Sequence, residues 1–226
     1  MIGLLELLNA NFDIFDNRKK KQFIEMIFTS AHKLQNEMLN ILEWALSQAQ
    51  IISYSPEPVE LKILVEDIIT LLKQVIINKN ISIELKFEEK IFAFVDRRMI
   101  NTVIRNILAN AIKFTPQNGN IVINCLLSNL RTVQITITDS GVGMTPQQIE
   151  KAFDKNEFNS TYGTNNEKGT GLGLKICHDF VLKNNGSINI TSKINNGTSI
   201  ILNFPVCEDR IENDSAPQNN ETDTNE

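Results

Sequence analysis

Cysteine is scarce in this chain, with three among 226 residues, and histidine (two) and tryptophan (one) are scarcer still. Cys125, Cys177 and Cys207 are odd in number and far apart, which argues against a disulfide framework or a thiolate zinc site and fits reduced thiols in the cytoplasm. With only His32 and His178, no His/Asp/Ser triad and no metal-ligand spacing can be assembled. No apolar run approaches the ~20 residues of a membrane-spanning helix, and MIGLLELL is too short, and lacks the basic leader, for a signal peptide. No basic patch points to nucleic acid or to an anionic membrane surface. The net charge of −5 is unevenly spread: Glu208 to Glu226 carries seven acids and one Arg, so the tail is −6 and the body +1. That tail is poor in apolar residues and reads as disordered. The remaining chain, 42% hydrophobic overall, is long enough to bury a core in one or two domains.

Two textures follow one another along the chain. Ile2, Leu5, Leu8, Phe12 and Phe15 give a short apolar pattern over residues 2–15, which reads as the end of a helix. From about Arg18 to Ser53, Phe23, Ile27, Leu34, Met38, Ile41, Leu42 and Ala45 recur at three- and four-residue spacing. A narrow stripe on so long a helix predicts a coiled-coil seam or a helical hairpin packing on a partner. SPEP at 55–58 breaks the helix, and residues 54–60 read as a linker. Mixed α and β patterns occupy residues 61–207. Helices are predicted over 61–78, 97–114 and from 145, where Thr145 is the N-cap and Pro146 lies in the first turn. Strands are predicted at ISIELKF, FAFVD, 120–128 and 132–139, with a closing hairpin of SINITSK and TSIILNFP around Asn195-Asn196-Gly197. Between them lies the polar stretch 154–170, long for a plain connection and read as a lid.

Chemistry concentrates in three places. Asn106, Asn110 and Lys113 stand at i, i+4 and i+7 of a helix and so share one face. Amide oxygens suit a hard cation such as Mg²⁺ and an ammonium suits phosphate, although an ordinary solvated face would look alike. Asp139-Ser-Gly-Val-Gly-Met144 ends an alternating strand; its carboxylate can accept from an exocyclic amine, and Gly141 and Gly143 let a flat ring approach the backbone. A plain strand-to-helix turn has the same composition. Lys168-Gly-Thr-Gly-Leu-Gly-Leu174 alternates Gly169, Gly171 and Gly173 with Thr170 and Leu172 and opens a helix. Its free N–H groups and helix dipole suit phosphate, yet its spacing is neither the dinucleotide fingerprint nor the Walker loop.

Taken in order, NILANAIKFT, DSGVGM and KGTGLGL resemble the N-box and the two glycine boxes of the sensor histidine kinase ATP-binding domain. That domain belongs to the superfamily of gyrase and the heat-shock chaperone ATPases. Phe153 and Phe158 resemble its phenylalanine box, at wider separation than usual. The resemblance covers roughly residues 60–206. It implies an α+β fold, a two-layer sandwich of a mixed sheet with helices on one face, preceded by an incomplete antiparallel helical hairpin in residues 1–53. It further implies ATP and Mg²⁺ as ligands, with Asn110 on the metal and Asn106 beside it. Lys113 would contact phosphate, next to Phe114, and Asp139 would read the adenine amine, supported by Ser199. Lys168, Gly169, Thr170, Gly171, Leu172, Gly173 and Leu174 would cover the phosphates.

The same resemblance implies a response-regulator receiver domain as partner, and a homodimer or pairing with an intact kinase hairpin. The family's phospho-acceptor His, followed by an acidic residue, falls ahead of Ile2 by two or three helical turns. His32 lacks an adjacent carboxylate, and His178, though followed by Asp179, lies behind the glycine loop. The expected reaction is therefore transfer of the ATP γ-phosphoryl to a histidine outside these residues, either in trans or in a longer protein of which this chain is a fragment. A serine-kinase relative of the anti-sigma-factor type, or a non-catalytic ATP-binding dimerisation module, would carry the same boxes.

Overall fold

The computed structural model describes residues 2–48, 54–87, 90–129, 131–154, 163–164 and 171–207. The acidic tail, Phe158 and Lys168 to Thr170 lie outside the described residues, as does most of the expected lid. Two compact units divide the chain, Met1–Ser53 and Tyr54–Glu226.

The first unit consists of α1 (Ile2–Ala10) and α2 (Asn17–Gln48). The apolar pattern of residues 2–15 does not continue as helix beyond Ala10, because Asn11 turns its amide back onto the Leu7 carbonyl at 3.0 Å. Asp16 then accepts the Lys19 N–H at 2.7 Å and starts the second helix. Phe15 stacks on Phe23 at 5.3 Å, which leaves Phe23 half-buried. Leu34 and Met38 of the predicted stripe are exposed, and so are Ile24, Met26 and Phe28, which carry apolar surface beyond it. No described helix is long and apolar enough to cross a membrane.

The second unit contains β1 (Glu57–Glu60), α3 (Leu61–Asn78), β2 (Ser82–Phe87), β3 (Phe92–Val95) and α4 (Arg97–Phe114). It continues through β4 (Asn120–Asn129), β5 (Thr132–Asp139), α5 (Pro146–Glu150), α6 (Gly173–Lys183), β6 (Ser187–Ser192) and β7 (Thr198–Pro205). The stretch 54–60, expected as a linker, is corrected by β1, which pairs antiparallel with β3 and buries Val59 completely. Pro58 misled because proline excludes central strands, and this two-stranded sheet consists of edges only.

The main sheet has the order β2-β4-β5-β7-β6, with β2 and β4 parallel and the other neighbours antiparallel. It is the expected α+β arrangement of a mixed sheet with helices on one face. The row Val133, Ile135, Ile137 of β5 and the row Ile200, Leu202, Phe204 of β7 are buried. They join Ile100, Ile104, Ile107 and Leu108 of α4 and Ile176, Phe180 and Val181 of α6 in the core. The opposite face is polar: Gln134 bonds Asn203 at 3.0 Å, Asn203 bonds Ser187 at 3.0 Å, and Thr138 bonds Ser199 at 2.9 Å. Strict alternation of this kind is what a sheet covered on one side requires.

Asp96 fastens the entry to this unit. Its carboxylate caps α4 through the Arg98 and Met99 N–H groups and also accepts the Ser55 N–H at 3.1 Å. Its own N–H donates to the side chain of the buried Asn184 at the end of α6. Burial by itself would raise the Asp96 pKa, but the bonds from Arg98, Ser55 and Met99 outweigh it and hold the carboxyl below its usual range. Its contribution to stability is therefore present above the unfolded carboxyl's pKa and is lost as pH falls through the lower folded value.

Candidate functional site

The site begins with a carboxylate in an apolar row. Residues 133, 135, 137 and 139 of β5 all point inward, and the fourth of them is Asp139, only 8% exposed. Burial raises its pKa, and two backbone donors partly offset the cost: Gly141 N–H at 2.8 Å and Thr198 N–H at 3.2 Å. Both go to Oδ1, and Oδ2 forms no hydrogen bond among the described residues. An inward carboxylate that costs the empty fold stability is the kind of group kept for a ligand.

Asp139 lines a cavity of about 140 Å³, close to the engineered protein cavity of about 150 Å³ that admits benzene. Its walls are apolar: Ile107 and Ala111 of α4, Ile137, Ile190 and Ile200 of the sheet, Leu174 of α6, and Val142 and Met144 of the loop after β5. Asn110, Phe114, Gln148 and Thr198 also face it. Apolar walls around a few convergent polar groups suit a flat heterocycle bearing an amine.

The loop after β5 shows why glycine is needed. A Cβ at Gly141 would stand 2.6 Å from both Asp139 Oδ1 and the Phe114 carbonyl. Gly143 has φ +69°, and a Cβ there would overlap the Lys193 carbonyl. The β6–β7 turn buttresses this loop: Asn195 N–H donates to Val142 O at 2.8 Å and Gly197 N–H to Gly141 O at 3.0 Å. Asn195-Asn196-Gly197 signals a hairpin in the sequence, but nothing local announces that it also supports the loop.

The structure separates the residues predicted on α4. Asn110 faces the cavity, and its amide forms no hydrogen bond among the described residues. Asn106 donates to its own helix at Thr102 O, 2.9 Å, and its Oδ1 faces Gly173, where a Cβ would come to 3.2 Å. Lys113 Nζ lies 4.7 Å from the centre of the Phe114 ring. Ser199, expected to support Asp139, pairs instead with Thr138 and bonds its hydroxyl. Successive strand residues point to opposite faces, so the support comes from the backbone of Thr198 one residue earlier.

Of the second glycine stretch, Gly171 (φ +74°), Leu172, Gly173 and Leu174 are described. Leu172 is the N-cap of α6, and its apolar side chain makes no capping hydrogen bond. Backbone donors at a helix start suit an anion. His178 packs its ring on Phe153 at 5.2 Å, with Asp179 Oδ1 3.8 Å from Nδ1, which is a packing position.

Sequence reasoning missed Lys79 and Thr164. Lys79 is 3% exposed and donates to the carbonyls of Ile112 (2.9 Å), Lys113 (2.9 Å) and Thr115 (3.3 Å), capping the C-terminal end of α4. It also donates to Thr164 Oγ1 at 2.7 Å. A lysine after a helix of its own normally reads as solvated, and no local pattern shows that another helix ends against it.

Residues 95–208 match the family described as histidine kinase-, DNA gyrase B-, and HSP90-like ATPase. The chain belongs to this ATPase family. Sporulation kinase B of Bacillus subtilis is 24% identical over 203 residues, which are 90% of this chain and 45% of that protein. The chain thus spans about half the length, or less, of the first curated relatives it matches. Among solved structures, the catalytic domain of histidine kinase ThkA is 26% identical with a TM-score of 0.58, over 68% of this chain and 98% of that domain. Histidine kinase ThkA in complex with response regulator protein TrrA shares the fold at a TM-score of 0.68 and 22% identity, over 92% of this chain and 57% of that one.

Proposed function

We propose that this chain is the ATP-binding catalytic module of a two-component sensor histidine kinase and delivers the γ-phosphoryl of Mg-ATP to a histidine. The observation that carries the reading is Asp139, an inward carboxylate at the end of an apolar cavity, with Oδ2 unengaged among the described residues. Oδ2 accepts from the adenine amine while the ring lies against Ile107, Ala111 and Ile137. The triphosphate extends towards α6, where the Gly173 end offers backbone donors, with Lys113 and Lys168 supplying positive charge. The Asn110 amide oxygen, facing the cavity and unpartnered among the described residues, fits a hard cation, and Asn106 is the second candidate. Bound Mg²⁺ would neutralise charge on the phosphate oxygens. The chain's own work is to position nucleotide and acceptor in line and exclude water.

The acceptor is a histidine outside these 226 residues, on another chain or elsewhere in a longer protein. His178 is packed against Phe153, and His32 is flanked by Ala31 and Lys33, with no acid to orient an imidazole. The exposed apolar residues of α2 support pairing with a second copy or with an intact hairpin. The response-regulator receiver domain is the downstream partner, and three buried free thiols suit the reducing cytoplasm. The test is incubation with labelled ATP and Mg²⁺, alone and with a His-bearing kinase hairpin. Acid-labile, base-stable label is expected on the added hairpin only. Label on the chain alone that vanishes with His32→Gln or His178→Gln would place the acceptor within these residues and refute the assignment.

A further inference from the structure

One polar side chain on the cavity, Gln148, has no part in holding Asp139 or the metal. It stands in the first turn of α5 and faces the same cavity as Asp139. Gln148 is exposed and Asp139 buried, so the amide sits at the mouth and the carboxylate further in. The amide is not free to turn. Its Oε1 accepts the Thr145 N–H at 2.8 Å, while the Gln148 N–H donates to Thr145 Oγ1 at 3.1 Å, and the two residues form a capping box. A backbone N–H only donates, so the bonded end of the amide is the oxygen and the other end is the NH₂. That Nε2 forms no hydrogen bond among the described residues. The start of α5 is itself anchored, because the Met144 N–H donates to Ser192 Oγ of β6 at 2.9 Å.

We propose, resting on the ATP-binding reading above, that Gln148 is a second purine-reading residue, whose Nε2 donates to a ring nitrogen of adenine beside the amine. Adenine presents that amine as a donor, with acceptor nitrogens N1 and N7 on either side of it. A carboxylate alone reads the donor and accepts any aminated ring. An NH₂ on the same cavity of about 140 Å³ supplies the complementary donor, so that an acceptor and a donor together match one edge of the base. The capping box adds pre-organisation: the amide is already held with its oxygen on Thr145, and little side-chain freedom is lost when the NH₂ engages a ligand. Of the cavity's other polar groups, Asp139 is an acceptor, and the Thr198 N–H is already spent on its Oδ1.

The test is calorimetric titration of the full chain with the Mg²⁺ complexes of ATP, 1-deaza-ATP and 7-deaza-ATP, in which a C–H replaces N1 or N7. It is repeated with Gln148→Glu and Gln148→Met. Glutamate keeps the capping box, since a carboxylate oxygen still accepts the Thr145 N–H, and puts an acceptor where the NH₂ was. Methionine has similar length, no donor and no charge. The wild type should bind one of the two analogues roughly 2- to 12-fold more weakly than ATP, the scale of one neutral hydrogen bond. Both variants should bind ATP more weakly and no longer separate it from that analogue, while thermal unfolding of Gln148→Glu matches the wild type. A wild type that binds all three nucleotides equally overturns the proposal and leaves the ATP reading intact. So does a variant that binds ATP as the wild type does, or one that still discriminates against the analogue. A wild type that binds none of the three overturns both readings.

Discussion

Replacing Asp139 by asparagine should weaken Mg-ATP binding by roughly 10- to 150-fold while leaving the empty protein at least as stable as the wild type. Oδ1 of the asparagine can still accept the Gly141 and Thr198 N–H groups, so the loop keeps its internal bonds. The other position, Oδ2 in the wild type, becomes an NH₂ that faces the adenine amine donor to donor. Loss of one hydrogen bond to a charged group costs about 1.5–3 kcal/mol. Stability goes the other way, because burial raises the Asp139 pKa. The raised folded value means that ionisation costs the empty fold stability above that pKa, and the cost fades as pH falls towards the unfolded value. Thermal unfolding with an empty site should therefore show no loss at neutral pH for Asp139→Asn, and any gain should narrow in acid. Equal nucleotide affinity in the two proteins would remove Asp139 from the site.

Gly143→Ala should damage both fold and binding. The residue sits at φ +69°, where an alanine is strained by roughly 1–2 kcal/mol, and the added Cβ overlaps the Lys193 carbonyl. Backbone cannot rotate aside as a side chain can, so overpacking adds about 1–3 kcal/mol. The turn must shift, and with it the bonds from Asn195 to Val142 and from Gly197 to Gly141 that hold the loop. Chemical denaturation should show destabilisation of about 2–5 kcal/mol, with nucleotide binding lost in whatever fraction folds. An alanine variant with wild-type stability would mean that the loop has freedom the close packing denies it. Gly3→Ala, with nothing within 4 Å of its added Cβ, is the control.

Most of this fold is legible in the sequence where period and chemistry agree. The β5 alternation and the apolar face of α4 correspond to the strand and helix found, with Asp139 and Asn110 at the cavity. Residues 61–78 and 97–114 coincide with α3 and α4 because apolar periodicity and clear stops bound them. Legibility fails where long-range pairing overrides a local signal. Pro58 and the break before it suggest a connection, yet pairing with Phe94 makes a strand. Ser199 is one residue out of phase with Asp139, a difference that only strand register decides. Lys79 and Thr164 lie 85 positions apart and meet only because α4 ends between them. In the first unit, Asn11 ends a helix that the apolar pattern alone would have prolonged.

The central claim is that the cavity at Asp139 binds adenine nucleotide and distinguishes it by its amine. Calorimetric titration of the full chain with Mg-ATP and, in parallel, with Mg-GTP tests that directly. Guanine presents a carbonyl oxygen where adenine presents the amine, and that oxygen would face the Asp139 carboxylate acceptor to acceptor. Saturable binding of one Mg-ATP per chain, with Mg-GTP at least tenfold weaker on the scale of one charged hydrogen bond, is the expected result. No binding of Mg-ATP, or equal affinity for the two nucleotides, would contradict it.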